Sequence, residues 1–103
     1  MAGQYQGNYV YEENSVQIYA PVSWGVYYCV HIEQGSRVVA DYIGKASGQG
    51  VTIKSRLLNH LSGDNWPEVS HFGYILCSSA EEAQRLEIEE INRCNPKYNK
   101  RVG

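Results

Sequence analysis

Four kinds of polar side chain recur in this sequence with a spacing that could place them together. Two phenols, Tyr27 and Tyr42, stand in apolar runs, Gly25-Val26-Tyr27 and Tyr42-Ile43-Gly44-Lys45. Arg56 and His60 follow four residues apart, which makes them neighbours on any helix. Glu87 and Asn99 come last. A guanidinium offers a rigid fork of donors that matches phosphate. A carboxylate can hold a hard cation. Imidazole and phenol can move protons. Phenol, imidazole, guanidinium and carboxylate together are equipment for cutting a phosphodiester.

Each residue also has an ordinary structural reading. Nine tyrosines are present, so two in strands are expected as packing. A tyrosine acts as a base only if its pKa, near 10 when unperturbed, falls toward neutrality. A cation such as Lys45, or a metal, would have to lower it. Arg56 and His60 could be a surface arginine and a half-buried histidine beside the stripe Ile53, Leu57 and Leu61. Glu87 is the more pointed case. At about 100° per residue, Ala80, Ala83, Ile91 and Cys94 share one helical stripe, and Glu87 lies in its middle. A carboxylate on an apolar face costs desolvation unless it is paired or binds a metal. An ion pair with Arg56 would satisfy it equally well.

The elements that must carry these groups can be read from local pattern. Gly25 to Ile32 is rich in β-branched and aromatic residues and reads as a strand. Gln34-Gly35-Ser36 is a turn, and Arg37 to Ala46 is the antiparallel partner. Thr52 can cap a helix running to about Leu61, with Gly63 as its stop. A polar loop with Trp66-Pro67 leads to a third strand, His71 to Ser78. Ser79-Ala80-Glu81-Glu82 has the form of a capping box for a helix to about Cys94, which Asn95-Pro96 ends. The expected fold class is α+β, a small three-stranded antiparallel sheet flanked by helices in the order β-β-α-β-α. Residues 1–23, tyrosine-rich and closed by Pro21, read as an N-terminal arm, with Tyr9–Tyr11 and Val16–Tyr19 as a hairpin or extended segment. Residues 24–103 form the domain proper.

Composition limits the choices. A chain of 103 residues holds one domain. No apolar run is long enough to cross a membrane, and Met1-Ala2-Gly3-Gln4-Tyr5 lacks the pattern of a secretion signal. Cys29, Cys77 and Cys94 are an odd set without CxxC spacing, which points to reduced thiols in the cytoplasm. A zinc site from Cys29, His31, His71 and Cys77 would need all four to converge from two strands. The net charge of −2 argues against a broadly basic nucleic-acid surface. All nine Lys and Arg nevertheless lie beyond residue 36, with Lys45, Lys54 and Arg56 close together and Lys97, Lys100 and Arg101 in the tail.

The ordered set resembles the GIY-YIG nuclease superfamily over most of residues 24–101. Gly25-Val26-Tyr27 is similar to the first motif, and Tyr42-Ile43-Gly44 matches the second without substitution. Arg56 corresponds to the family's helical arginine, and Leu86-Glu87 to its metal-binding glutamate. Asn99 corresponds to its late asparagine, within Asn95-Pro96-Lys97-Tyr98-Asn99. His60 is similar to a histidine found after the arginine in some restriction enzymes of the family. The gaps from Tyr27 to Tyr42 and from Tyr42 to Arg56 are longer than usual, with the extra residues at the turns around Gly35 and Gly48.

The resemblance implies a GIY-YIG endonuclease that hydrolyses phosphodiesters with a single divalent cation, Mg²⁺ or Mn²⁺, on Glu87. It implies that Tyr27 activates water directly or through His60, with Lys45 biasing Tyr27 toward its anion. Arg56 would stabilise transition-state charge, Tyr42 would hydrogen-bond phosphate or water, and Asn99 would tie the tail to the site. DNA is the expected partner, although these residues do not separate it from RNA. One site per chain implies nicking by a monomer and double-strand cutting by a homodimer. The competing class is a GIY-YIG-like domain kept for nucleic-acid or protein binding without catalysis.

Overall fold

A computed structural model describes residues 2–99. The elements are β1 (Gln6–Val10), α1 (Glu13–Tyr19), β2 (Gly25–Glu33), β3 (Arg37–Ala46), α2 (Ile53–Gly63), β4 (His71–Leu76) and α3 (Ala80–Cys94). Short 3₁₀ turns occupy Gln34–Ser36 and Lys97–Asn99. The sheet is antiparallel with order β1-β4-β2-β3.

It has four strands where three were expected. The additional strand is β1, whose Val10 pairs with His71 on β4. Val16–Tyr19 belongs to a helix, with neither a hairpin nor an extended run there. Only Val16 of that helix is buried, so its amphipathic pattern is too short to read.

β2 is central and its first six residues are buried. A strand covered on both faces reads as a continuous apolar run, as Gly25–Val30 does. Tyr27 and Cys29 project to one side and join Val16, Ile53, Leu57 and Phe72 beneath α1 and α2. Val26, Tyr28 and Val30 project to the other and join Ile43, against Leu86, Ile91 and Cys94 of α3. Burying each large apolar side chain contributes roughly 1.5–3 kcal/mol. Tyr27 pairs with Gly44, and Cys29 with Tyr42; a bulge then follows, placing Val30 opposite Ala40.

The helix starts follow from their caps. Thr52 accepts from the Ser55 amide, and the Ser55 hydroxyl takes the Thr52 amide, a reciprocal box for α2. At α3, Ser79 accepts from the Glu82 amide. The Glu82 carboxylate turns to the amide and hydroxyl of Ser78, one residue earlier than a capping box requires. Among the described residues no helix is long and apolar enough to cross a membrane. The three cysteines are free thiols. Lys100 and Arg101 of the basic tail lie outside the described residues.

Candidate active site

Two glycines let the strands approach closely enough to build the site. A Cβ on Gly25 would stand 2.2 Å from the Ile75 carbonyl oxygen on β4. A Cβ on Gly44 would stand 2.4 Å from the Tyr27 hydroxyl. Gly44 therefore leaves the space through which the Tyr27 ring passes across β3. That ring has no exposed surface. Tyr42 lies on the same face, its ring centroid 6.2 Å from that of Tyr27.

Helix α2 crosses above this pair and presents Arg56 and His60 to it. The Tyr27 hydroxyl lies 2.8 Å from His60 Nε2. On the other edge of the ring, His60 Nδ1 lies 2.7 Å from Asp64 Oδ2. A carboxylate only accepts, so Nδ1 carries the hydrogen, and in the neutral ring the bare Nε2 accepts from Tyr27. Tyr42 meets the imidazole edge-on at 5.0 Å, and Trp66 lies 4.8 Å from it. Trp66 in turn stacks between Tyr42 at 4.9 Å and Tyr98 at 5.4 Å. Glu68 accepts from Lys97 and from the Tyr98 hydroxyl, tying the Trp66 loop to the C-terminal turn.

Arg56 is half-buried, and its Nε is buried with no hydrogen-bond partner among the described residues. An orphaned donor of this kind costs about 1–3 kcal/mol.

The electrostatics correct one expectation. Burial pushes the Tyr27 phenol well above its usual range, because a phenolate there loses hydration, and neighbouring Tyr42 adds to the effect. The cation that opposes this is Arg56. Lys45 pairs with Val26 and so falls on the opposite face of β3 from Gly44 and Tyr42. It is not placed as the neighbour that lowers Tyr27. Burial also raises Tyr42; Tyr27 and Arg56 oppose that shift, while the Glu87 carboxylate adds to it. The charge of Glu87 is thus felt within the tyrosine pair, although α3 packs on the far face of the sheet.

Asn99 reaches the site by another route. Its Oδ1 accepts from the Ile43 amide at 2.7 Å, and its Nδ2 donates to the Ile43 carbonyl at 2.8 Å. β3 is an edge strand, and one side-chain amide stands in for the missing neighbour at the residue between Tyr42 and Gly44.

The donor set fits one kind of metal. Among the described residues no group of three or more His, Cys, Asp or Glu is gathered for an ion. His31 is engaged with Asp41, His71 with Ser70, and Cys29 is buried, so the four-ligand zinc arrangement does not form. Half-buried Glu87, whose charge reaches Tyr42, suits a hard, hydrated cation that needs only one or two carboxylates.

Solved structures carry the same arrangement of elements. The magnesium-bound GIY-YIG N-terminal endonuclease domain of UvrC from Thermotoga maritima matches with a TM-score of 0.65 and 28% identity, over 85% of this chain and 96% of that one. The domain is GIY-YIG-like. A tyrosine-to-phenylalanine variant and an asparagine-to-alanine variant of that UvrC domain, each bound to its catalytic divalent cation, match at 27% identity with the same TM-score, covering 86% of this chain and 96% of theirs. No protein-family model and no curated protein matches the chain. The GIY-YIG-like fold explains the order of the motifs: Tyr27 and Tyr42 come from adjacent strands, Arg56 and His60 from the next helix, and Glu87 from the last.

Asp64 and Trp66 went unnoticed as site residues in the sequence. Asp64 continues the four-residue spacing of Arg56 and His60, which is a usable signal. Trp66 lies in an irregular loop, where no periodicity marks it.

Proposed function

We propose that this protein is a metal-dependent endonuclease that hydrolyses phosphodiester bonds in DNA with a single cation. The observation that carries the reading is the hydrogen bond from Tyr27 to His60 Nε2, beside a buried and unpartnered Arg56 Nε. Glu87 would hold Mg²⁺, or Mn²⁺ in its place. The bound cation supplies positive charge that stabilises the leaving oxygen.

The remaining chemistry falls to the chain. Tyr27 directs its hydroxyl proton at His60 Nε2. It takes one from the attacking water while passing its own to His60 Nε2, and the proton ends on the imidazole. Arg56 turns its donors to the phosphate, where charge grows in the transition state. Tyr42 hydrogen-bonds the phosphate or the water. Asn99 holds β3 in place and keeps Tyr42 at its height. We place the activity in the cytoplasm, with a monomer nicking one strand and a homodimer cutting two.

A binding module without catalysis is the second reading. The net charge of −2 favours it only weakly, because it is equally compatible with a small local phosphate site. Incubating the protein with supercoiled plasmid and with branched DNA, in Mg²⁺ and in chelator, separates the two. Nicked product in Mg²⁺ alone supports the nuclease. Retained DNA with no product under either condition supports the module.

A further inference from the structure

We infer that Asp64 is a positioning residue for proton transfer at this site: it holds His60 in the tautomer whose bare Nε2 receives the Tyr27 proton. The inference rests on the nuclease reading above for its catalytic consequence, but not for its geometry.

Asp64 is the residue at which the chain leaves α2, with φ −116° and ψ 146°. It is joined to His60 twice. Its amide donates to the His60 carbonyl at 2.9 Å, and its carboxylate accepts from the ring at 2.7 Å. The first contact fixes where the second can form. The imidazole itself has little freedom. Its faces and edge are occupied by Tyr42 and Trp66, and only 11% of its side chain is exposed. Among the described residues, Asp64 meets the ring at Nδ1 and Tyr27 meets it at Nε2.

The chemistry follows from donor and acceptor roles. With Nδ1–H held by a carboxylate, Nε2 has a lone pair aimed at the Tyr27 hydroxyl. When the water proton moves to Tyr27 oxygen and the Tyr27 proton moves to Nε2, the ring becomes imidazolium with one N–H on each side. The Asp64 carboxylate then faces a positive charge at hydrogen-bond distance. Nothing else need move. Without Asp64 the ring can populate the other tautomer, in which Nε2–H points at Tyr27 and cannot accept.

The test uses the full chain and two readouts. Nitrogen-15 NMR of the His60 ring in the free protein, at a pH where the ring is neutral, reads the tautomer directly. Wild type should show Nδ1 protonated and Nε2 bare. Asp64→Asn and Asp64→Ala should show a mixture or the reverse. The same variants should lose at least about a hundredfold in kcat, the scale of a misplaced general base, with KM nearly unchanged and melting temperature preserved. Asp64→Glu should recover part of the loss. A wild-type ring protonated on Nε2, or full kcat in folded Asp64→Ala, overturns the role of Asp64. Absence of cleavage by wild type overturns the nuclease reading and with it the catalytic consequence, while the NMR result still decides whether Asp64 sets the tautomer.

Discussion

The hydroxyl of Tyr27 and Nε2 of His60 stand 2.8 Å apart, one on the central strand and the other on the helix that crosses it. This contact joins two motifs separated by 33 residues and gives a buried phenol somewhere to send its proton. Tyr27→Phe keeps the ring and removes the relay. Cleavage should fall by about 10²–10⁴, while the melting temperature changes by no more than the loss of one hydrogen bond, about 1 kcal/mol. Cleavage rates and thermal melts on the same preparation check both parts.

Arg56 separates a phosphate role from a packing role. Arg56→Ala should lower turnover at least about a hundredfold, the scale for losing one donor to transition-state charge. Arg56→Lys should restore little, since an ammonium lacks the planar fork. Unchanged turnover in folded Arg56→Ala rules out the assignment.

Gly44→Ala tests the close approach of β3 to Tyr27. The new Cβ would land 2.4 Å from the hydroxyl of Tyr27, whose ring is fully buried. Overpacking of this kind costs about 1–3 kcal/mol. At about 4–8 °C per kcal/mol for a domain near this size, the melting temperature should fall measurably and activity should fall with it. A stable, active Gly44→Ala variant contradicts the geometry.

These contacts show what could be read from sequence and what could not. The strands carrying Tyr27 and Tyr42 were legible because each is a β-branched and aromatic run flanking a Gly-containing turn. α2 was legible from Thr52, and α3 from Ser79. β1 and α1 were not, since β1 gains its place only by pairing across the chain with β4. The upward push of burial on Tyr27 was not legible, because burial of the phenol is a tertiary property. Lys45 was read by its nearness in sequence to Tyr42, whereas strand alternation sends it to the other face. The two-bond grip of Asn99 on Ile43 was not legible, because it depends on β3 being an edge.

A pH dependence follows from His31. Its Nδ1 lies 2.7 Å from Asp41, which with Glu33 raises the ring above its usual range. The folded state therefore binds the proton more tightly than the unfolded chain. Its stabilisation is full below about pH 6.5, the unfolded value, and is lost as pH rises through the higher folded value. Wild-type melting temperature should decline as pH rises above about 6.5 more than that of His31→Gln. Parallel curves for the two proteins would contradict this.

Glu87 carries the central claim, that one carboxylate whose charge reaches Tyr42 holds the cation for strand cleavage. Glu87→Gln keeps the shape and removes the charge. The decisive measurement is Mg²⁺-dependent plasmid cleavage by Glu87→Gln, with DNA affinity and melting temperature taken on the same sample. The account predicts no cleavage, DNA binding retained or strengthened because a negative charge has left the phosphate site, and a fold as stable as wild type. Continued Mg²⁺-dependent cleavage, or a loss of several kcal/mol in stability marking a broken structural ion pair, would contradict it.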